Sequence, residues 1–288
     1  MLFLQNLING LLLGGLYICI AIGFSLIWGV LNIINLVHGS FIVLGSYLAF
    51  YAFALFGISP FIAPIFIMPL MFMVGYALQR GVVNRVMDKP VLITLTLTFG
   101  IDLIVNNSLL WAFTANFRRV VFPEPYKTLE LAGLIIPTDR VFAMLLALFL
   151  TVLFYILLNG SRIGRAIVAV RNDPETAILM GVDVKQIYAI TFGIGAAFAG
   201  AAGSLLSAVF PISPIVSGLY LGKAFVVCVL GGLGGIGGAV VGGLTLGVIE
   251  SLAVMVAGPE HTVLVGFLVL LAVLLVKPTG IVGKQGYE

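Results

Sequence analysis

The stretch Leu7–Gly29, LINGLLLGGLYICIAIGFSLIWG, runs without a single charged side chain, and no Asp, Glu, Lys or Arg precedes Arg80. About 20 apolar residues in helical form cross the hydrocarbon core of a bilayer, so this stretch predicts a membrane-spanning helix. It has no Lys or Arg before it and no clear small-residue cleavage site. We therefore interpret it as a retained span and not as a removed signal peptide.

The rest of the chain repeats this pattern. Of 288 residues, 61% are hydrophobic and 9% are charged, whereas a soluble domain has about 25% charged residues. The apolar runs are continuous and do not alternate, which excludes a β-barrel and predicts an all-α, polytopic helical membrane protein. The net charge of +3 is too small to indicate a nucleic-acid partner. The predicted spans are Leu7–Gly29, Gly39–Phe56, Ile58–Leu78, Val91–Trp111, Val141–Leu158, Tyr188–Val209, Gly222–Gly231, Ala239–Val256 and Val263–Val276.

The seventh predicted span, Gly222–Gly231, is too short to cross about 30 Å as a straight helix. The glycine cluster Gly231–Gly238, GGLGGIGG, follows it directly and is expected to interrupt the helix. Either this segment crosses the membrane or it is re-entrant, so the predicted number of spans is eight or nine.

The cationic residues favour two passages in that region, because only then do they segregate. One side of the membrane would carry Arg80, Arg85, Lys89, Arg162, Arg165, Arg171, Lys185, Lys277 and Lys284. The other side would carry Arg118, Arg119, Lys127, Arg140 and Lys223. The positive-inside rule places the first group in the cytoplasm and the N-terminus outside. No further domain fits in this length, so residues 1–288 are expected to form a single transmembrane domain.

The longest charged segment, residues 159–187, is expected to be a cytoplasmic loop with helical punctuation. Asp173 can cap a helix that starts at Pro174, Glu175 suits the positive helix end, and Gly181 ends it. Asp183 caps the next helix, which runs into the following span.

The predicted helix Pro174–Met180 has only about two turns, so it is marginal in water by itself. It carries the apolar residues Ile178, Leu179 and Met180 among charges. Such a helix either docks in a groove of a partner protein or lies on the membrane surface.

Several motifs in this chain resemble a known family. Glu175-Thr176-Ala177, three residues, then Gly181 is similar to the cytoplasmic motif of ABC importer permeases, although Thr176 replaces the common Ala. Over essentially the full length, the chain resembles the shorter, LivH-type subunit of the branched-chain amino acid permease family. The further matching segments are Asn9-Gly10 with Gly14, Ile33–Gly39, Gly164-Arg165-Ala166, Leu230–Gly234 with Gly242-Gly243, and Lys277–Ile281.

The resemblance implies a type II-like ABC importer subunit in the bacterial inner membrane. Its implied partners are a homologous M-type permease, two cytoplasmic ATPases that bind ATP and Mg, and a periplasmic substrate-binding protein. The sequence itself contains no G-x-x-x-x-G-K-[ST] loop, so ATP would be bound by another subunit. No nucleophile, metal cluster or acid/base set predicts an enzyme. The expected ATPase-coupling residues are Arg171, Asp173, Pro174, Glu175, Ala177, Ile178, Leu179, Gly181 and Asp183.

Polar residues inside the predicted spans have two interpretations. Thr94, Thr98, Asp102 and Asn106 are spaced by four, so they form a stripe on one helix face. The stripe either lines a translocation path or bonds neighbouring helices. Asn35 and His38 either satisfy backbone groups between two spans or take part in gating.

Glu250 lies within a predicted span, and we favour a structural, helix-linking role for it. A rival hypothesis is a proton-coupled secondary transporter that uses Asp102 or Glu250 as a relay. Within the ABC class, a permease for urea, amides or sugars is the alternative to one for branched-chain amino acids.

Overall fold

A computed structural model describes residues 2–122, 128–131 and 133–283. The cationic residues Lys127 and Lys284 lie outside this range. The helices are α1 Leu2–Leu31, α2 His38–Phe56, α3 Pro64–Gly81, α4 Val91–Phe113, α5 Thr138–Gly160, α6 Arg162–Asn172, α7 Pro174–Leu179, α8 Val184–Val209, α9 Ser217–Gly231, α10 Ile236–Ala257 and α11 Thr262–Val276. The strands β1 Thr128–Leu131 and β2 Leu134–Pro137 form an antiparallel hairpin.

Nine helical segments within these ranges are long and apolar enough to cross a membrane, which confirms the all-α polytopic class. Three 3₁₀ turns add to the helices: Val83–Arg85 follows α3, and Pro214–Val216 and Pro259–His261 precede α9 and α11. The predicted boundaries of the seventh span were wrong, because α9 begins at Ser217 and not at Gly222. The glycine cluster does interrupt the helix as predicted, since α9 ends at Gly231 and α10 begins at Ile236.

The bundle has two ends, which we call the hairpin end and the α7 end. At the hairpin end, Arg118 and Ile212 pair through their backbones, and Gln5 bonds the backbone of Ile135 in β2. At the α7 end, Asn84 donates to the carbonyl of Lys185. The backbone N–H of Ile281 donates to Leu230 there, so the C-terminal end of α9 lies at the α7 end.

Two close helix pairs hold the bundle together: α1 with α10, and α3 with α8. Gly14 of α1 lies against the backbone of Leu244, and Gly75 of α3 lies against Gly193. Small residues let helix backbones approach closely in a bilayer, where dispersion replaces the hydrophobic effect as the driving force. Helices α1 and α8 are the most buried, because each packs against at least four others: α1 against α5, α8, α9 and α10, and α8 against α1, α2, α3 and α5.

Two helices begin deep inside the bundle. Leu31 ends α1 about 16 Å beyond Ile20 along the helix, yet the His38 ring at the start of α2 bonds the Ile20 carbonyl. Residues 32–37 therefore turn back into the bundle. Residues 210–216 likewise precede α9, and the Ser217 carbonyl lies against Gly39 of α2. The two helix starts meet in the interior.

The charge argument grouped Lys223 with the cationic residues of the outer side, at the start of the predicted span Gly222–Gly231. Because α9 starts at Ser217, Lys223 is more than one turn into the helix, and its side chain is enclosed between helices.

Candidate functional site

The segment between α5 and α8 forms two helices at the α7 end, of which sequence analysis found only the second. Ser161 caps α6 by accepting the N–H of Gly164 at 2.9 Å. Ile167 and Val170 pack inward, while Arg162 and Arg165 are exposed. The capping serine and this three-residue spacing were a readable signal for α6.

Asp173 caps α7 as its position predicted. Its Oδ1 accepts the N–H groups of Glu175 at 3.0 Å and Thr176 at 3.2 Å, and the Thr176 hydroxyl donates to Oδ2. The Thr176 hydroxyl, followed by the backbone N–H bonds, holds the pKa of Asp173 below its usual value. The side chain that replaces the common Ala therefore strengthens the cap.

The far end of α7 differs by one residue from the prediction. The helix ends at Leu179, Met180 is its cap, and Gly181 adopts a φ of 82°. A side chain at Gly181 would meet no neighbour, so backbone conformation alone calls for glycine there. Asp183 then caps α8 through the N–H of Gln186 at 3.1 Å.

One face of α7 is fixed to the protein and the other is open. Ala177 is buried, whereas Ile178, Leu179 and Met180 are 59%, 85% and 80% exposed. Pro174 and Glu175 are also exposed. The short helix α7 is thus attached through its buried face and presents an exposed apolar surface at one polar end of the bundle.

Arg171, at the end of α6, links this segment to the glycine cluster. A side chain added at Gly234 would lie 3.5 Å from its guanidinium. Gly234 in turn lies against Gly29 near the end of α1. The segment between α5 and α8 and the α9–α10 junction are thus in contact.

The polar stripe on α4 is divided. The Thr98 hydroxyl donates to the Ile34 carbonyl at 3.1 Å, and Ser40 donates to Asp102 at 2.5 Å. Thr94 bonds only its own helix, and the Asn106 side-chain oxygen has no partner among the described residues. Thr98 and Asp102 thus tie α4 to residues 32–37 and to α2.

Asn35 and His38 are fully buried at the same junction. The Asn35 side chain accepts the Val37 N–H at 3.1 Å, and His38 Nε2 donates to the Ile20 carbonyl at 2.9 Å. These bonds satisfy backbone groups between α1 and α2. A role of either residue in gating stays a prediction.

Glu250 lies in a three-residue network that sequence analysis did not assemble. Glu250 Oε2 is 2.8 Å from Lys223 Nζ and 2.5 Å from the Tyr17 hydroxyl, which joins α10 to α9 and α1. A lone Lys and a lone Glu in neighbouring apolar runs were a usable signal. The sequence around Tyr17, in contrast, gives no sign of its role, because Tyr17 lies within an apolar run.

The described residues form a polytopic helical bundle with a helix interrupted by glycines and a short, capped, exposed helix at one polar end, an architecture that suits a membrane permease. The family model described as "Branched-chain amino acid transport system / permease component" matches residues 6–274. The chain belongs to this family.

Named relatives agree with that assignment. The high-affinity branched-chain amino acid transport system permease protein LivH of Salmonella typhimurium is 33% identical, over 99% of this chain and 97% of its own length. BraD of Pseudomonas aeruginosa, described in the same words, is 32% identical over the same shares. The fructose import permease protein FrcC of Rhizobium meliloti is 29% identical over 60% of this chain and 46% of its own. No solved structure matches the chain significantly.

Proposed function

We propose that this chain is one of two permease subunits in an ATP-driven importer of branched-chain amino acids. Its full-length likeness to LivH and BraD supports this substrate over the sugar alternative, for which the likeness covers only part of the chain. The companion subunits would be an M-type permease, two ATPases that bind ATP and Mg, and a binding protein. The membrane would be the bacterial inner membrane.

The observation that carries the coupling role is the exposed apolar surface Ile178–Met180 on the capped helix α7. Leu179 and Met180 are at least four-fifths exposed, and removing such apolar surface from water is favourable. Cationic residues cluster at the same end, so the positive-inside rule makes it cytoplasmic. A cleft on an ATPase would cover this surface.

Movement of α7 would be transmitted to the membrane-spanning helices through α8, which follows it closely in the chain. Asp183 starts α8 soon after α7 ends, and α8 packs against α1, α2 and α3. Arg171 adds a second route through Gly234 to the start of α10. Closure of the ATPases would push α7 and tilt these helices, which alternates access to the pathway.

The test is co-purification of the permease with its ATPases, together with ATP turnover stimulated by the loaded binding protein. Leu179→Glu and Glu175→Lys are expected to reduce both readouts severalfold. Val121→Glu is the matched control, because Val121 is 76% exposed at the opposite end. Normal association and normal turnover in both α7 variants would contradict the docking role.

A further inference from the structure

Two adjoining cavities lead from the hairpin end into the bundle. The deeper one has a volume of about 540 Å³ and reaches Tyr17, Lys223 and Glu250. The outer one has a volume of about 480 Å³ and is bounded by Gly133 and Ile135 of the hairpin. Small-molecule sites commonly measure about 300–1,000 Å³. Asn9 and Arg140 line both cavities, so they lie where the two meet.

The junction carries the positive charge of Arg140, to which no described carboxylate forms a salt bridge, while the adjacent Asp139 carboxylate accepts the backbone N–H of Arg140 at 2.8 Å. Deeper in the cavity, Lys223 and Glu250 neutralise each other. Arg140 is half-buried, and no carboxylate among the described residues lies within salt-bridge distance of it. Its guanidinium faces the Phe210 ring at 5.9 Å. A half-buried guanidinium without a counter-ion, held over an aromatic ring, suits a carboxylate ligand.

The same junction offers a hydrogen-bond acceptor. The Asn9 side-chain oxygen is buried and receives no hydrogen bond from any described residue. Buried polar atoms in proteins are nearly always bonded, so an unbonded acceptor that lines a cavity indicates a missing donor. An ammonium group is the donor that accompanies a carboxylate in a free amino acid.

The remaining walls of the deeper cavity are largely apolar. Leu13, Leu206, Leu219 and Val254 line it between the junction and the polar network at its base. A ligand with its charged groups at the junction would place an apolar side chain against these residues. Burial of that side chain would contribute to its binding.

We propose that the junction binds one free amino acid with an apolar side chain, with the carboxylate on Arg140 and the ammonium group on Asn9. This inference rests on the proposed function, because it names a station on the path of the imported substrate. The amino acid would reach it after release from the binding protein.

The experiment uses the assembled transporter without its binding protein and measures displacement of tritiated leucine by three unlabelled compounds. These are leucine, leucinamide, which lacks the carboxylate, and 4-methylpentanoate, which lacks the ammonium group. For the wild type, we expect leucine to compete about ten- to a hundredfold better than either analogue, as the loss of one charged hydrogen bond implies.

Variants assign each preference to one residue. Arg140→Gln should remove the preference for leucine over leucinamide, and Arg140→Lys should retain part of it. Asn9→Ala should remove the preference over 4-methylpentanoate. Arg119→Gln is the matched control, since Arg119 is exposed at the same end. Thermal unfolding of each variant separates loss of the site from loss of the fold.

Two outcomes would overturn the site: no saturable leucine binding by the wild type, or an Arg140→Gln variant that still prefers leucine to leucinamide. Uptake of leucine into proteoliposomes with the binding protein present tests the proposed function separately. Uptake by a complex that shows no leucine binding at the junction would contradict only the proposed site. Absence of leucine uptake by the complete wild-type system would contradict the proposed function itself.

Discussion

The Lys223 ammonium nitrogen lies 2.8 Å from Glu250 Oε2, between α9 and α10 within the spanning bundle. Tyr17 donates to the same carboxylate from α1, so one acid joins three helices. An unpaired charge at this depth would be costly, and each partner makes the presence of the other tolerable.

This pairing predicts that the single substitutions are worse than the double one. Lys223→Met leaves Glu250, which is 5% exposed, without its cation, and should lower the free energy of unfolding by about 3 kcal/mol. The double variant Lys223→Met/Glu250→Gln should recover much of that loss. Thermal unfolding in detergent is measured for Lys223→Met, Glu250→Gln and the double variant, and losses that simply add would show that the two residues act independently.

The glycine contact between α1 and α10 predicts a strong position dependence for Gly→Ala. A Cβ at Gly247 would lie 2.4 Å from the Gly10 carbonyl oxygen, so Gly247→Ala should cost about 1–3 kcal/mol. Gly100 in α4 has open space, and Gly100→Ala should be neutral or stabilise by up to about 1 kcal/mol. Equal unfolding temperatures for the two variants would contradict the close packing.

The Asp173 cap predicts a difference between a truncation, Asp173→Ala, and a near-isosteric replacement, Asp173→Asn. Asp173→Ala removes the acceptor of three hydrogen bonds, so hydrogen exchange of the amides in α7 should accelerate severalfold and ATPases should be retained less well. Asp173→Asn keeps an acceptor and should behave nearly as wild type. Exchange measured by mass spectrometry over peptides that span α7 is the readout.

The same cap has a defined pH dependence. Because its hydrogen bonds lower the pKa of Asp173 in the folded protein, the contribution of the carboxylate to α7 is full above the unfolded value of about 3.9. It is lost as the pH falls through the lower, folded value. The protection of the α7 amides, taken relative to the intrinsic exchange rate at each pH, should thus be constant near neutral pH and fall only in acid, and Asp173→Asn should lack this acid step.

Substitution of Asp102 tests the alternative hypothesis of a proton-coupled secondary transporter. Its carboxylate is bonded to Ser40 and ties α4 to α2, so Asp102→Asn should preserve most ATP-driven uptake. A protonophore should leave uptake by the reconstituted complex unchanged. Collapse of uptake with ATP still present would instead favour a proton relay.

Sequence alone predicted the spans, the helix interruption at the glycine cluster and the cap at Asp173, because these depend on local composition and spacing. It missed α6, although Ser161 is a regular cap, since a charged segment was interpreted as a loop. It also began the seventh span at Gly222, five residues after the start of α9, and so placed Lys223 at the edge of the membrane and not within the bundle.

The site was less predictable for a physical reason. Tyr17 lies in an apolar run and gains its meaning only from the approach of α10, which no local pattern encodes. Arg140 was assigned to a side of the membrane, but its cavity arises from helices distant in sequence. Local rules find caps and spans, whereas cavities depend on packing.

The contact of Gly10 with Val248 has a consequence in time. The ribosome adds about 5–20 residues per second, so α1 enters the membrane roughly 10–50 s before its principal partner has been synthesised. During that interval the glycine face of α1 is exposed to lipid or to some temporary neighbour. The first helix of this protein is thus among the last to reach its final environment, and its biogenesis depends on what shields that face until translation ends.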